Sequence, residues 1–99
     1  MFARVSRYSG STDGLRAGFE AVTPELEQEE GFVQAFFLVD EEHSRAVSIT
    51  LWDSRETLDG SSERAHAMRT RATEPSDATV DSVESYQVAL TAEGTARAG

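Results

Sequence analysis

The first third of the chain shows two patterns of apolar residues, one with the period of a strand and one with the period of a helix. Over residues 2–8 the two sides of a predicted strand differ: Ala3 and Val5 on one side, and Arg4, Ser6 and Tyr8 on the other. After a turn rich in N-cap residues, an apolar stripe at helical spacing predicts a helix: Leu15, Phe19, Val22 and Leu26. Pro24 lies inside this helix and removes a backbone donor, so we expect a kink or a restart there.

The middle of the chain predicts two paired strands and a second helix. Residues 32–39 are apolar except for Gln34, which is typical of a strand covered on both faces. After a polar turn, residues 45–52 alternate between two faces: Val47, Ile49 and Leu51 on one, and Ser48, Thr50 and Trp52 on the other. The two strands should form a hairpin. Asp53 or Ser54 then caps a helix that runs to about residue 72, and residues 60–62 predict an irregularity in its middle.

The last apolar pattern, over residues 79–90, predicts a final strand, and residues 91–99 are small and polar, as in a flexible tail. The order strand, helix, strand, strand, helix, strand predicts an α+β, ferredoxin-like split βαβ sandwich. Such a fold has a four-stranded antiparallel sheet with two helices on one face, here as a single domain of residues 1–90. The second strand is apolar on both faces, so the face without helices needs a cover. A second sheet from a partner chain is the simplest cover, and we expect a homodimer.

Composition limits the classes of function that remain. The chain has 99 residues, of which 38% are hydrophobic and 27% charged, and this suits one globular domain. No apolar run approaches the ~20 residues of a membrane span, and the N-terminus lacks the layout of a signal peptide, so we expect a cytoplasmic protein that does not bind membranes. The net charge of −9 argues against nucleic-acid binding. Cysteine and lysine are both missing, which excludes thiolate metal sites and Schiff-base chemistry.

Two segments carry a resemblance to a known family. They are Val22-Thr23-Pro24-Glu25-Leu26 with Glu29-Glu30-Gly31-Phe32, and Leu51-Trp52-Asp53-Ser54 with Leu58 and His66. With the order of elements, they resemble the antibiotic biosynthesis monooxygenase-like family of dimeric α+β barrels over residues 2–90. The resemblance implies a face-to-face dimer with a pocket between sheet and helices in each protomer. Some members oxidise anthrone- or quinol-like aromatics with molecular oxygen and no metal or flavin, some degrade haem, and many have no known activity. On this basis we expect no cofactor.

The chain departs from the family's pattern at positions that bear on activity. Thr50 stands where a glutamate often precedes the tryptophan of the third strand, and Ser61 stands where many members carry a second histidine. Haem-degrading members have an asparagine, a tryptophan and a histidine at the positions of Ser6, Ser61 and Arg71. These departures argue against haem degradation.

His66 is the candidate acid or base, because the pKa of an unperturbed imidazole lies near neutrality. On the predicted helix it follows Ser62 by four residues and precedes Arg69 by three, so the three share a face. A neutral histidine could take a proton from an electron-rich aromatic molecule while an arginine stabilises the resulting anion. The alternative is that His66 is a surface or packing residue.

Four further residues are candidates for ligand contact. Arg4, Ser6 and Tyr8 belong to the side of the first strand that should look into the pocket, where buried polar groups need partners. Ion pairs at an interface are the alternative for these residues. Trp52 could stack on an aromatic ligand, or could belong to the core or the dimer interface. No metal site is predicted at the acidic turn around His43, because neighbours on one turn seldom converge on one ion.

The function predicted from these observations is a cofactor-independent monooxygenase that oxidises a small aromatic, anthrone- or quinol-like compound. His66 would accept the proton, and Arg69 or Arg4 would stabilise the anion. The alternative is a non-catalytic small-molecule-binding or stress-response dimer, which the missing glutamate and second histidine favour. A small isomerase or decarboxylase would need the same histidine. If His66 points to solvent, or if no pocket opens near it, the oxygenase mechanism with His66 as proton acceptor fails.

Overall fold

A computed structural model describes residues 1–96 of the chain. Its elements in chain order are β1 (Phe2–Ser9), α1 (Thr12–Leu26), β2 (Phe32–Asp40), β3 (Arg45–Trp52), α2 (Arg55–Gly60), α3 (Ser62–Thr73), a 3-10 turn (Glu74–Ser76) and β4 (Thr79–Gln87). The strands form one antiparallel sheet in the order β2-β3-β1-β4. This is the ferredoxin-like split βαβ arrangement, so the predicted fold class is confirmed. The pairing of two such sheets in a dimer stays a prediction.

The helices begin where the sequence provides side-chain caps. Ser11 Oγ accepts from the Gly14 N–H (3.3 Å) at the start of α1, and Ser54 Oγ accepts from the Thr57 N–H (3.2 Å) at the start of α2. α1 continues through Pro24 in its last turn, so the predicted restart does not occur. A proline this close to the end of a helix removes only one of the last backbone hydrogen bonds.

The irregularity predicted in the second helix is present. α2 ends at Gly60 and α3 begins at Ser62, and Ser61 is the buried junction between them. The final strand ends at Gln87, shorter than predicted, and residues 91–96 contain no helix or strand. The flexible tail predicted for residues 91–99 stays a prediction, and its last three residues lie outside the described part.

The core lies between the helices and one face of the sheet. Its buried apolar residues come from every layer: Tyr8, Leu15, Phe19, Val22, Leu26, Ala46, Trp52, Leu58, Met68 and Ala72. Complete burial of a large apolar side chain contributes about 1.5–3 kcal/mol relative to its exposure. The predicted stripe of α1 supplies four of these side chains, because it faces the sheet along its whole length.

α1 and α3 approach each other closely at Gly18. A Cβ atom at this position would lie 2.1 Å from the carbonyl oxygen of Ala72, far inside van der Waals contact. Only glycine allows the two helix backbones to come this near. The close crossing fixes how the helices lie over the sheet.

The opposite face of the sheet carries apolar side chains that nothing within residues 1–96 covers. Phe36, Leu38 and Tyr86 are exposed, and Val47 and Ile49 between them are half-buried. The cross-strand pairs Phe36–Ile49 and Leu38–Val47 make this a continuous surface, which we call the open face. Within residues 1–96, no helix is long and apolar enough to cross a bilayer.

Candidate functional site

A small cavity of about 40 Å³ lies between the helix-side face of the sheet and helices α1 and α3. Most of its wall is apolar: Phe19, Val22 and Leu26 from α1, Phe37 from β2, and Ala65, Met68 and Ala72 from α3. Its polar lining comes from the sheet and from one helical residue: Arg4, Ser6 and Tyr8 from β1, Ser48 and Thr50 from β3, and Arg69 from α3. A predominantly apolar pocket with a few converging polar groups is typical of a site for a small organic ligand.

Arg4 is buried, and its guanidinium is tied to the junction of α2 and α3. Nη2 donates to the Leu58 carbonyl (2.7 Å), and both terminal nitrogens donate to Ser61 Oγ (3.2 Å each). Nη2 also lies 3.3 Å from Ser62 Oγ. The guanidinium stacks over the Trp52 ring at 5.6 Å from its centroid. These contacts occupy most of the N–H donors of Arg4. Its main contribution to the cavity is therefore its positive charge, and few of its N–H groups are free to bind a ligand.

Arg69 occupies the same cavity with different surroundings. Within residues 1–96 its guanidinium makes no hydrogen bond and no ion pair. Burial lowers the pKa of Arg69, and the neighbouring Tyr8 works against this shift. Burial also lowers the pKa of Arg4, and the positive charge of Arg69 lowers it further. The two guanidinium groups therefore create a positive potential inside a largely apolar wall.

Tyr8 and Ser48 form a hydroxyl pair on the floor of the cavity. Their oxygens are 2.9 Å apart, and both residues are buried. The Tyr8 ring meets Phe19 edge-on with centroids 5.2 Å apart, and Phe19 stacks on Phe37 at 4.7 Å. The polar end of the cavity thus adjoins an aromatic wall.

The structure brings together four of the six residues singled out from the sequence: Arg4, Ser6, Tyr8 and Arg69 all line the cavity. Their role in binding stays a prediction. Ser48 and Thr50 also line it but were not singled out. Their signal was present in the alternation of β3, which puts them on the same face as Trp52, and the cross-strand pairs Ser6–Ser48 and Arg4–Thr50 join that face to β1.

His66 lies outside the cavity. It is exposed on α3, whereas the buried residues of this helix are Ala65, Met68, Ala72 and Thr73. Neighbouring helix positions are about 100° apart, so the row of Ala65 and Met68 faces the core while His66 beside it faces solvent. Arg69 reaches the cavity because it follows Ala65 by four residues and precedes Ala72 by three, which places it on the inward row of α3. The placement of His66 gives no support to its predicted role as the base of a pocket.

Trp52 belongs to the core and does not line the cavity. It is fully buried, its ring meets Phe32 edge-on at 5.8 Å, and its Nε1 donates to Thr50 Oγ1 (2.9 Å). Of the two interpretations of this tryptophan, the geometry supports packing over stacking on a ligand. Trp52 nevertheless contacts Arg4, which lines the cavity.

No imidazole and no carboxylate is among the residues that line the cavity. Within residues 1–96 there is also no cluster of three or more histidine and acidic side chains that could hold a metal ion. His43 pairs instead with Asp40 through Nδ1 (2.9 Å), and the hydrogen bond from Arg45 (2.7 Å) holds the pKa of Asp40 below its usual value. The cavity can therefore bind and polarise an oxygen substituent through cations and hydroxyls.

Comparison with solved structures places this architecture among known proteins. A protein of Deinococcus radiodurans assigned as an antibiotic biosynthesis monooxygenase superposes with a TM-score of 0.73 at 13% identity, over 97% of this chain and 100% of the other. The cofactor-independent oxygenase SnoaB of Streptomyces nogalater gives 0.69 at 16% identity, over 91% of this chain and 94% of that one. The heme-degrader MhuD of Mycobacterium tuberculosis gives 0.71 at 18% identity, over 94% of this chain and 100% of that one.

No family model matches the sequence, and no curated protein matches it either. At identities this low, the likeness to the solved structures concerns the fold. The resemblance drawn from the motifs around Pro24 and Trp52 is therefore confirmed at that level. The chain has the fold of the antibiotic biosynthesis monooxygenase-like proteins.

Proposed function

We propose that this protein is a member of the antibiotic biosynthesis monooxygenase-like family and a cofactor-independent oxygenase for a small aromatic, anthrone- or quinol-like compound. The observation that carries the proposal is the cavity itself, in which Arg4 and Arg69 face an aromatic wall beside the Tyr8–Ser48 hydroxyl pair. The likeness of the fold to that of a cofactor-independent oxygenase supports it.

The reaction needs a substrate that becomes an electron-rich anion. Loss of a proton from a phenol or enol gives such an anion, which passes an electron to molecular oxygen. One oxygen atom then forms a bond to a substrate carbon, and the other leaves as water, so that the substrate supplies all four electrons. A CH₂ group of an anthrone becomes a carbonyl in this way. The guanidiniums of Arg4 and Arg69 stabilise the anion, because fixed charges act strongly where water is excluded.

The fate of the proton differs from the expectation based on the sequence. Since His66 is exposed and neither imidazole nor carboxylate lines the cavity, we assign no side-chain base there. The cations lower the pKa of the bound hydroxyl, and water at the cavity mouth takes the proton. The rate should therefore rise with pH as the bound substrate ionises, and loss of a cation should move that rise to higher pH.

The test is oxygen uptake on a panel of anthrones and hydroquinones, measured against pH for three proteins. The wild type should consume oxygen, His66→Ala should retain most of that activity, and Arg69→Gln should lose at least about tenfold. The midpoint of the pH profile should shift upward in Arg69→Gln only. A loss of activity in His66→Ala equal to that in Arg69→Gln would return the proton transfer to the histidine.

The second candidate is a non-catalytic dimeric protein that binds the same class of ligand. The missing proton acceptor in the cavity favours it. Under this hypothesis, aromatic compounds bind in a calorimeter while oxygen consumption stays at the uncatalysed rate for every compound of the panel. Both candidate functions share three expectations from the sequence: a homodimer, a small aromatic ligand and a cytoplasmic location.

A further inference from the structure

The two arginines of the cavity differ in how far their N–H groups already have hydrogen-bond partners in the protein. Arg4 donates to the Leu58 carbonyl and to the hydroxyls of Ser61 and Ser62, so its hydrogen bonds are largely satisfied by the protein. Arg69 has no such partner within residues 1–96. A guanidinium is normally charged and presents a planar fork of N–H donors. Arg69 is half-buried at the cavity wall, and its guanidinium has no hydrogen-bond partner within residues 1–96, so its planar fork of N–H donors is open to a ligand or to solvent.

Two glutamates at or just beyond the end of α1 pair with other arginines of α3. Arg64, on the turn of α3 before Arg69, pairs with Glu29 (2.6 Å), and Arg71 pairs with Glu25. Glu25 belongs to the last turn of α1, and Glu29 lies in the turn that follows it. Within residues 1–96, Arg64 and Arg71 therefore have acidic partners and the cavity's Arg69 has none.

The size of the cavity limits which ligand can bind beside Arg69. About 40 Å³ is far below the ~300 Å³ at which pockets for drug-sized ligands begin, so even one ring must displace a wall. Met68 is the wall residue best suited to move, since its side chain is unbranched and flexible. A single ring requires one such movement, whereas a three-ring compound requires the helices themselves to separate. Gly18 holds those helices close together. Within the proposed substrate class, the cavity therefore favours single-ring, quinol-like compounds over the three-ring anthrones.

We propose that Arg69 is a specificity-determining residue for a carboxylate, so that the site takes single-ring aromatic acids, such as a dihydroxybenzoate, in preference to neutral aromatics. The inference rests on the proposed function in that it uses the same cavity as the ligand site. The carboxylate forms a bidentate pair with Arg69. The ring lies against Phe19 and Phe37, and a ring hydroxyl reaches the Tyr8–Ser48 pair.

The test is anaerobic calorimetry, which measures binding whether or not the protein has oxygenase activity. The ligands are 2,5-dihydroxybenzoate, the neutral 2,5-dihydroxybenzamide of nearly equal shape, and acetate as an anion without a ring. The wild type should bind the acid at least about tenfold more tightly than the amide, and acetate weakly. Arg69→Gln should lose the preference for the acid while keeping its affinity for the amide. Arg69→Lys, which keeps the charge but not the fork, should retain part of the preference.

Arg16→Gln is the matched control, because Arg16 is exposed on α1 and its only ionic partner among residues 1–96 is Glu41 (3.4 Å). It removes the same charge and should leave the preference for the acid unchanged. Thermal unfolding of each variant separates a loss of binding from a loss of folding.

Equal affinity for acid and amide in the wild type would overturn the carboxylate inference, while oxygen uptake on neutral hydroquinones would leave the proposed function standing. Tight binding of the acid without oxygen uptake would support this inference and contradict the oxygenase. An acid preference that survives in Arg69→Gln would overturn the role of Arg69.

Discussion

At the scale of single residues, Trp52 shows how burial assigns a role that residue type leaves open. It is fully buried between Phe32 and Arg4, and it satisfies its own indole N–H through Thr50. Trp52→Ala should lower the free energy of unfolding by about 3–5 kcal/mol, because it removes a large side chain from a packed core. Urea denaturation followed by circular dichroism measures this change.

Leu90→Ala is the control for that substitution, since Leu90 is 86% exposed. It should change the free energy of unfolding by no more than about 0.5 kcal/mol. A Trp52 variant of near wild-type stability that no longer binds aromatic ligands would instead favour the stacking role considered from the sequence.

The sequence predicts the residues of the cavity to different degrees. Arg4, Ser6 and Tyr8 follow from alternation alone, since a strand has only two faces. His66 and Arg69 were harder to separate, because their spacing of three residues places them near each other on α3. Arg69 follows Ala65 by four residues and precedes Ala72 by three, so it joins the buried row, whereas His66 does not. The different roles of Arg4 and Arg69 depend on Ser61, whose buried hydroxyl reaches one of them. No pattern in the sequence shows that contact.

At the scale of elements, the contact between α1 and α3 depends on Gly18. Gly18→Ala should lower the free energy of unfolding by about 1–3 kcal/mol, because the new Cβ would meet the Ala72 carbonyl oxygen at 2.1 Å and push the helices apart. Chemical denaturation of the variant measures the loss. Its binding of single-ring acids should also change, since the same contact sets the height of the cavity.

Gly60→Ala is the matched control, because nothing lies within 4 Å of a Cβ atom at the end of α2. There alanine should stabilise the protein by up to about 1 kcal/mol through its higher helix propensity. Equal effects at the two glycines would contradict the assignment of Gly18 as a close-contact position.

The elements themselves were largely predictable, and the deviations have local causes. The caps at Ser11 and Ser54 and the stripe of α1 carry strong signals, because each satisfies a specific physical need of a helix. α3 carries a weak signal, since its inward positions include the small residues Ala65 and Ala72. The apolar residues after Gln87 made β4 look longer than it is. Its partner strand β1 begins at Phe2, so the pairing stops opposite Gln87 apart from the hydrogen bond of the Val88 N–H to the Met1 carbonyl.

At the scale of the whole molecule, the open face predicts the assembly. Phe36, Leu38 and Tyr86 lie exposed on the face of the sheet opposite the helices. A surface of this kind marks an interface, and a second copy of the sheet is the simplest complement. The protein should sediment with twice the protomer mass, and Ile49→Glu at the centre of this face should reduce it to one protomer.

Val83→Glu tests whether the position of the charge matters. Val83 is also exposed, but its pairing with Ser6 places it on the helix side of the edge strand β4. The dimer should survive this change. Dissociation by both variants would show that added negative charge alone separates the protomers, since the chain already carries a net charge of −9.

The hydrogen bond from the Val88 N–H to the Met1 carbonyl (2.9 Å) has a consequence for the connectivity of the chain. It places the start of β1 beside the end of β4, so a short linker could join them without disturbing any strand pair. A circularly permuted chain beginning at Ser11 would then contain β4 and β1 as a simple hairpin. The pairing of β1 with β4, which are the strands farthest apart in the sequence, would become local in the permuted chain, and local pairings favour faster folding.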